Sequence, residues 1–365
     1  MDKTFQKLRV RDVKQETQNA VSITFEVPES LKPKFEYKQG QYLTLKFNIQ
    51  GKEVRRAYSM CSSPLEDHLT VTVKRVKKGL VSNYINDQIK PGQEIDVMPP
   101  EGRFFTTLDE DQKKTYYLFG AGSGITPLFS ILKTILEKEP MSKIYLLYGN
   151  RNEDSIIFKD QIYQIQQRYA GQIIVKHILS QPKREKGKGI TGLFSKGTIT
   201  WEGDIGRIDS AVVKKFLEEN PSKGGIQEYF ICGPGAMISE VEKALTGLGI
   251  DKKLIHAEYF TNDSSNGQAT TGLEGGKVIV HLSGEEIELI VPPGKTILDT
   301  LIDLKYDPPY SCTSGACSTC MAKVLNGSVR MDACYALDDD EVAEGYILTC
   351  QSHPTSDKVV LTYEV

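Results

Sequence analysis

Up to residue 106 the hydrophobic positions come in short runs. Ala20–Val27, Tyr42–Phe47 and Leu69–Arg75 alternate with polar positions or are β-branched, and Gly40, Gly51, Pro64 and Gly92 punctuate them. This pattern predicts strands. Val81, Tyr84, Ile85 and Ile89 follow Gly79 near helical spacing and predict one helix. Several short strands with one helix predict a small antiparallel β-barrel over residues 1–106. From Lys113 the period changes. An apolar run, Thr115–Phe119, leads into Gly120-Ala121-Gly122-Ser123-Gly124-Ile125-Thr126-Pro127 and a helical stretch, Leu128–Lys138. Strand, glycine turn and helix open a βαβ unit. Further strands are predicted at Lys143–Tyr148, Ile173–Leu179 and Tyr229–Cys232, with a helix at Ala236–Leu245, so residues 107–260 form a parallel-sheet α/β domain. Residues 261–276, TNDSSNGQATTGLEGG, have no apolar period and predict a flexible linker. It sets off a third domain, 277–365, giving a multi-domain chain of β, then α/β, then α+β type.

A length of 365 residues agrees with two or three domains. Charged residues at 25% and hydrophobic ones at 39% fit a soluble globular protein, and a net charge of −3 gives no support to nucleic-acid binding. The N-terminal stretch has no apolar core, so no signal peptide is expected there. No run approaches the ~18 apolar residues of a membrane span. Seven cysteines, four of them in one spacing pattern, point to a reducing cytoplasm rather than a disulfide framework.

That pattern is the strongest signal in the chain. Cys312, Cys317 and Cys320 stand as C-x4-C-x2-C, and Cys350 follows after 29 residues. This is the ligand spacing of a plant-type 2Fe–2S centre. The residues between the first three are all small, which lets a loop wrap a cluster closely. A structural zinc site usually shows two short cysteine pairs, and only one C-x2-C is present. A redox C-x-x-C would leave Cys312 and Cys350 unexplained. Cys334 fits no ligand position and is expected to be a buried or half-buried bystander. The histidines show no metal spacing, and His256 is expected at the surface or in packing.

In the first domain, Arg55-Arg56-Ala57-Tyr58-Ser59-Met60 contains R-x-Y-S. Strand alternation puts Arg56 and Tyr58 on one side, able to serve one ligand. This motif resembles that of the ferredoxin–NADP reductase superfamily. The resemblance implies FAD, with Arg56 on its pyrophosphate, Tyr58 flat against the isoalloxazine and Ser59 at the reactive edge. The stretch Lys74 to Asn83 matches the family's second pyrophosphate contact, through Gly79 and Ser82 of a G-x-x-S pattern. Lys74, Val76 and Val81 belong to the same segment. A helix starting there would offer free N–H groups to a phosphate; the plainer reading is an N-cap at Ser82. Met98–Phe104 resembles the family's barrel exit.

The glycine turn is G-x-G-x-G, with Thr126 and Pro127 at the helix start. Its glycines let backbone approach a pyrophosphate, and within the family Gly122, Thr126 and Pro127 are implied in nicotinamide binding. Strand Lys143–Tyr148 ends at Gly149-Asn150-Arg151, with Glu153 and Asp154 just beyond. After the third strand come Ser180 and Gln181, then Lys183 and Arg184. NADPH-using relatives carry a Ser–Arg pair here for the 2′-phosphate. Ser180 matches, Gln181 does not, and Arg151, Lys183 or Arg184 would supply the charge; NADPH is expected ahead of NADH. Lys183–Gly189 also reads as a solvated loop. Cys232-Gly233-Pro234-Gly235-Ala236-Met237 is similar to the family's nicotinamide-side motif, with the Cys232 thiol near the hydride-donating carbon and Gly233 leaving room for the ring. Cys232 alone would read as a core cysteine. In relatives an acidic and an aromatic residue near this domain's end face the flavin, implying Glu258 and Phe260. Ser59, Cys232 and Glu258 are thus the implied catalytic residues.

Residues 277–365, with PYSC and YILTCQSHP, resemble plant-type ferredoxins and imply a β-grasp fold. Across nearly the whole chain the pattern resembles the reductases of phenylacetyl-CoA epoxidase and related hydroxylase systems. The order makes physical sense, because a flavin can accept a hydride and release single electrons to a cluster. The implied activity is an NAD(P)H-dependent oxidoreductase that serves an oxygenase or hydroxylase partner, a desaturase among the alternatives. The linker would let the last domain move. A redox-sensing binding protein without turnover and a zinc-stabilised C-terminal module remain the competing readings.

Overall fold

The structure, a computed structural model, describes residues 4–185, 197–260 and 276–365. The first domain has strands β1 (Gln6–Thr17), β2 (Ala20–Glu26), β3 (Tyr42–Ile49), β4 (Lys52–Ser59), β5 (Leu69–Lys74) and β6 (Glu94–Glu101). They form one sheet in the order β4-β3-β6-β1-β2-β5. The antiparallel registers place Leu8 opposite Ile95, Val13 opposite Ile23, and Ile23 opposite Val71. Leu8, Ile23, Val71 and Ile95 are all buried, so the predicted alternation sets the inner face. Met60, just past β4, bridges to Val71 of β5, and the Cys61 N–H donates to the Thr70 carbonyl at 2.9 Å. These bonds join the two outermost strands and close the sheet on itself, as a barrel requires. The expected helix is Leu80–Gln88, with Val81 and Ile85 buried.

The second domain contains β7 (Thr115–Ala121), β8 (Lys143–Asn150), β9 (Ile173–Leu179), the short pair β10 (Arg184–Glu185) and β11 (Thr198–Ile199), then β12 (Asp204–Ile205), β13 (Gln227–Gly233) and β14 (Ile255–Tyr259). Its main sheet runs β12-β9-β8-β7-β13-β14, and β7 pairs parallel with both β8 and β13. The chain thus builds outward from β7 to one side and later returns to the other. That reversal leaves a crevice beyond the carboxyl ends of β7 and β13, where such sheets bind ligands. The helix after the glycine turn is Ile125–Lys138, beginning three residues earlier than its apolar run. Pro127 fits its first turn because the missing N–H has no partner to lose there. The helix Gly235–Gly247 follows β13.

The third domain has β15 (Gly276–Leu282), β16 (Glu285–Val291), β17 (Met321–Asn326), β18 (Val329–Met331), β19 (Tyr346–Leu348), β20 (Ser352–Pro354) and β21 (Lys358–Thr362). Five of them form a mixed sheet, β16-β15-β21-β17-β19, with β15 and β21 parallel. The helix Ile297–Asp303 starts at a reciprocal Thr296–Asp299 capping box. It buries Ile297 and Leu301 against Val278, Val280, Leu289, Val359 and Leu361. A mixed sheet holding one helix is the expected β-grasp arrangement.

The described residues gather into two compact units. One contains Thr44–Ala57 and Glu258–Val365 with the residues up to Phe5; the other contains Gln6–Leu43 and Tyr58–Ala257. The hairpin of β3 and β4 therefore groups with the third domain, a division the apolar pattern did not suggest. Of the predicted linker only Gly276 is described, as the first residue of β15; the rest lies outside the described residues. No helix among the described residues is long and apolar enough to cross a membrane.

Candidate functional site

In the first unit the loop from Cys312 to Cys320 folds back on Cys350. Cys317, Cys320 and Cys350 are buried and Cys312 is partly so. The thiols meet in pairs: Cys312 with Cys317 and Cys350, and Cys350 with Cys320. Four thiols brought together in this way fit the four cysteine ligands that a 2Fe–2S cluster would take. Hydrogen bonds from the Cys317 and Cys350 thiols, helped by the backbone at Ser314, hold the Cys312 thiol well below its ordinary pKa. The Ser314 N–H reaches Cys312 Sγ at 3.4 Å, and the Cys312 N–H reaches Cys317 Sγ at 3.5 Å. These are donors of the kind a negatively charged cluster needs.

The loop's course depends on left-handed backbone at Thr313 (φ 56°) and Gly315 (φ 71°). At Gly315 a β-carbon would lie 2.8 Å from the Ala333 carbonyl oxygen, so glycine is required. The base of the loop is tied by fully buried Thr349. Its Oγ1 donates to the Cys320 carbonyl at 3.0 Å and accepts from Tyr363 Oη at 2.7 Å. Sequence reasoning did not single out Thr349 or Tyr363; only the fold brings the C-terminal strand under the loop. Cys334 is half-buried beside Cys320, and burial raises its thiol pKa, as fits a bystander.

Strand β4 carries the R-x-Y-S residues. Arg56 is exposed, Tyr58 half-buried and Ser59 buried. Arg56 and Tyr58 share a strand face by alternation. Arg55 takes the opposite face and is buried.

In the second unit the helix Leu80–Gln88 has Gly79 at its N-cap, with no side-chain cap bond. The plain reading of Ser82 as an N-cap is therefore corrected. Ser82 sits one turn inside, and its Oγ accepts the Val76 N–H at 3.1 Å, which shapes the preceding loop. A β-carbon at Gly79 would lie 2.6 Å from that Oγ. The helix's first N–H groups, at Leu80 and Val81, have no capping side chain, which suits a phosphate oxygen.

At the carboxyl ends of β7 and β13 two loops touch. A β-carbon on Gly124 would lie 2.0 Å from the Cys232 carbonyl oxygen, and one on Gly233 would lie 2.8 Å from Met237 Cε. Gly122 is left-handed, with φ 56°. Tyr148 Oη donates to its carbonyl at 3.0 Å, and a β-carbon there would meet Lys74 Nζ at 3.0 Å. Burial, and then the charge of Arg151, lower the Lys74 pKa. Two cations from different domains, Lys74 and Arg151, thus lie close enough to repel beside the glycine turn, and neither has an acidic partner among the described residues. A diphosphate would relieve that repulsion. Asn150, between Gly149 and Arg151, is 8% exposed; the Tyr148 hydroxyl lies near its amide, but neither end of the amide makes a well-formed protein hydrogen bond. A buried orphan amide beside a nucleotide crevice is placed for a ligand's polar groups.

Thr126 and Pro127 are buried in the first turn of their helix, and Thr126 Oγ1 donates to the Ser123 carbonyl at 3.0 Å. They shape the turn rather than line its surface. Cys232 is fully buried at the end of β13. Ser180 is exposed, with its N–H on the Asn150 carbonyl at 3.0 Å. Of the three cations weighed for a 2′-phosphate, Lys183 is engaged: its Nζ pairs with Asp154 at 2.6 Å and its N–H donates to Glu153 at 3.0 Å. Arg184 donates to the Gly197 carbonyl at 3.3 Å, and Arg151 stands exposed. The rest of the basic loop from Lys186 on lies outside the described residues. His256 stacks on Phe230 at 4.5 Å, a packing role. Glu258 and Phe260, both half-buried, belong to the first unit.

Comparison with known proteins gives three consecutive family matches. Residues 7–106 match the oxidoreductase FAD-binding domain, 118–243 the oxidoreductase NAD-binding domain and 280–355 the 2Fe-2S iron-sulfur cluster binding domain. The chain is 35% identical to one of the subunits of 1,2-phenylacetyl-CoA epoxidase of Escherichia coli K12, covering 99% of this chain and 98% of that protein. It is 34% identical to the ferredoxin reductase component of 3-ketosteroid-9-alpha-monooxygenase of Rhodococcus rhodochrous, covering 98% and 96%. The solved phthalate dioxygenase reductase, described as modular for electron transfer from pyridine nucleotides to 2Fe–2S, shares the fold. Its TM-score is 0.59 at 22% identity, over 98% of each chain. The chain belongs to the family of NAD(P)H-dependent, ferredoxin-reductase-type oxidoreductases that carry an FAD-binding, an NAD-binding and a 2Fe–2S domain in that order on one polypeptide.

Proposed function

We propose that this protein is the reductase component of an oxygenase system of the phenylacetyl-CoA epoxidase type, working in the cytoplasm with NADPH as donor. The observation that carries the electron-transfer reading is the paired set of Cys312, Cys317, Cys320 and Cys350. When bound, FAD takes hydride from the nicotinamide and the cluster passes single electrons to the partner protein. The chain's own residues do the rest. Arg56 and the helix start at Gly79 would hold the flavin pyrophosphate. Tyr58 would cover the ring and Ser59 would bond its edge. Lys74 and Arg151 would neutralise the nicotinamide nucleotide's phosphates, with Ser180 beside them. Cys232 and Gly233 would shape the pocket for the nicotinamide ring, and Glu258 and Phe260 would face the flavin. NADPH is preferred because Arg151 stands exposed with no acidic partner among the described residues, whereas Glu153 and Asp154 are turned onto Lys183. The resemblance to an epoxidase component along almost the whole chain supports that partner class. Ring hydroxylases and fatty-acid desaturases are the alternatives.

The test is Cys317→Ser. Reduction of cytochrome c, a one-electron acceptor, should be lost, whereas reduction of ferricyanide, which flavin supports directly, should persist. Survival of both rates would remove the cluster from the path. Adding the epoxidase's oxygenase component should raise NADPH oxidation, and no increase would point to another partner class.

A further inference from the structure

The first unit grips the cluster loop at two points. Both grips come from residues outside the proposed flavin contacts. Arg55 is 4% exposed, although it neighbours exposed Arg56. Its Nη2 donates to Glu53 Oε1 at 2.7 Å and to Asp307 Oδ1 at 2.6 Å. Its guanidinium carbon lies 4.3 Å from the Tyr310 ring centroid and 5.0 Å from that of Phe5. Asp307 and Tyr310 lie just before Cys312 in the chain. On the other side the Tyr259 and Tyr335 rings stack with centroids 4.5 Å apart and planes 26° apart. Tyr335 in turn donates its N–H to the Gly315 carbonyl at 3.0 Å, in the middle of the loop. A desolvated guanidinium with a carboxylate and an aromatic face, together with a stacked ring pair, makes a more specific contact than scattered surface charges.

We propose that Arg55 and Tyr259 are positioning residues, forming a two-point clamp that holds the cluster loop in register with the segments that would face the flavin. The inference rests on the reductase reading. In each case the neighbouring residue is a proposed flavin contact. Arg56 follows Arg55 on the other face of β4, and Tyr259 lies between Glu258 and Phe260. The same two strand segments would therefore orient donor and acceptor together. With both groups bound, the step served would be the passage of one electron from flavin to cluster, the flavin losing and the cluster gaining it, with no bond made or broken. An unclamped loop would sample positions from which that step is slow.

The experiment uses the full holo-protein with Asp307→Asn and Tyr335→Ser. Both replaced side chains have substantial exposure, so folding should be spared. Arg55→Met is a third variant. The first readout is backbone hydrogen exchange over residues 305–312 and 333–337. Loss of one clamp point should speed it about fivefold, the population change for roughly 1 kcal/mol. The second is the ratio of cytochrome c to ferricyanide reduction, which should fall, and fall further in the double variant. Ferricyanide reduction itself should be unchanged. Wild-type exchange and an unaltered ratio in the double variant would overturn the clamp. If Cys317→Ser keeps cytochrome c reduction, the reductase reading fails, and the exchange readout still decides the clamp. If Cys317→Ser loses it while the clamp variants behave as wild type, only the clamp fails.

Discussion

Gly124→Ala perturbs the closest approach in the nucleotide crevice. The added β-carbon would lie 2.0 Å from the Cys232 carbonyl oxygen, 2.3 Å from its carbonyl carbon and 2.7 Å from the Gly233 nitrogen. These are backbone atoms, so no side-chain rotation relieves the overlap. Real contacts of this kind essentially never fall below 3.0 Å, so the loops must part by at least 3.0 − 2.0 = 1.0 Å. Gly124 has φ −61° and ψ −9°, ordinary helical values, so alanine brings no backbone strain. It even removes unfolded-state entropy, worth about 0.4–1 kcal/mol. The steric term opposes this at about 1–3 kcal/mol, leaving modest net destabilisation. Function should suffer far more, because a displacement of ~1 Å in a reacting geometry costs about 100-fold in rate. The assay is NADPH-dependent ferricyanide reduction, with melting and FAD content measured alongside. We expect roughly a 100-fold loss with FAD retained. Gly120→Ala is the control, since its β-carbon would meet side chains alone: the Leu128 Cδ1 methyl at 2.9 Å, which can move aside, and Tyr148 Cδ2 at an ordinary 3.7 Å. A normal rate in Gly124→Ala would refute the argument that this contact sets the pocket.

Arg56→Ala should weaken FAD retention on gel filtration, and unchanged flavin content would reject its pyrophosphate role. Replacing Lys74 with Met removes one of two repelling cations beside the glycine turn. The KM for the nicotinamide nucleotide should rise about tenfold with kcat little changed; an unmoved KM would place Lys74 outside that site. Burial pushes the Glu228 carboxyl up, but bonds from His256, Lys114 and Thr106 outweigh it and bring the pKa down to about 2. Its folded pKa thus lies below the ordinary carboxylate value, so its contribution is present above about pH 4.5 and fades as pH falls toward 2. Glu228→Gln should lower stability at pH 7 by on the order of 2 kcal/mol. The gap should narrow below pH 4.5 in denaturant titrations, and a gap independent of pH would contradict the pairing.

The cysteine spacing was legible in full because ligand order along a loop is a local property. The glycine turn was equally plain, since a strand, small residues and a helix follow one another without interruption. The helix start was legible at Thr126 and Pro127, one residue from the observed start at Ile125, although the apolar run itself begins only at Leu128. Both are tolerated in a first turn and both are buried by tertiary packing. Gly79 rather than Ser82 caps the barrel helix, since a serine hydroxyl can serve the preceding loop as well as a helix end. The clamp was not legible, because Arg55 and Asp307 are 252 residues apart. One hint was available: two arginines in succession on a strand must face opposite ways, so if Arg56 serves a ligand, Arg55 needs another partner. Asn150 gave no sequence signal at all; its significance lies in being buried with an unbonded amide.

The central claim is a path from nicotinamide through flavin to the cluster. Anaerobic titration of the purified holo-protein with NADPH and, separately, NADH, followed by visible absorbance, tests it most directly. Bleaching of both the flavin and the iron–sulfur bands, faster with NADPH, is the predicted result. Bleaching of the flavin band while the iron–sulfur bands persist would contradict it.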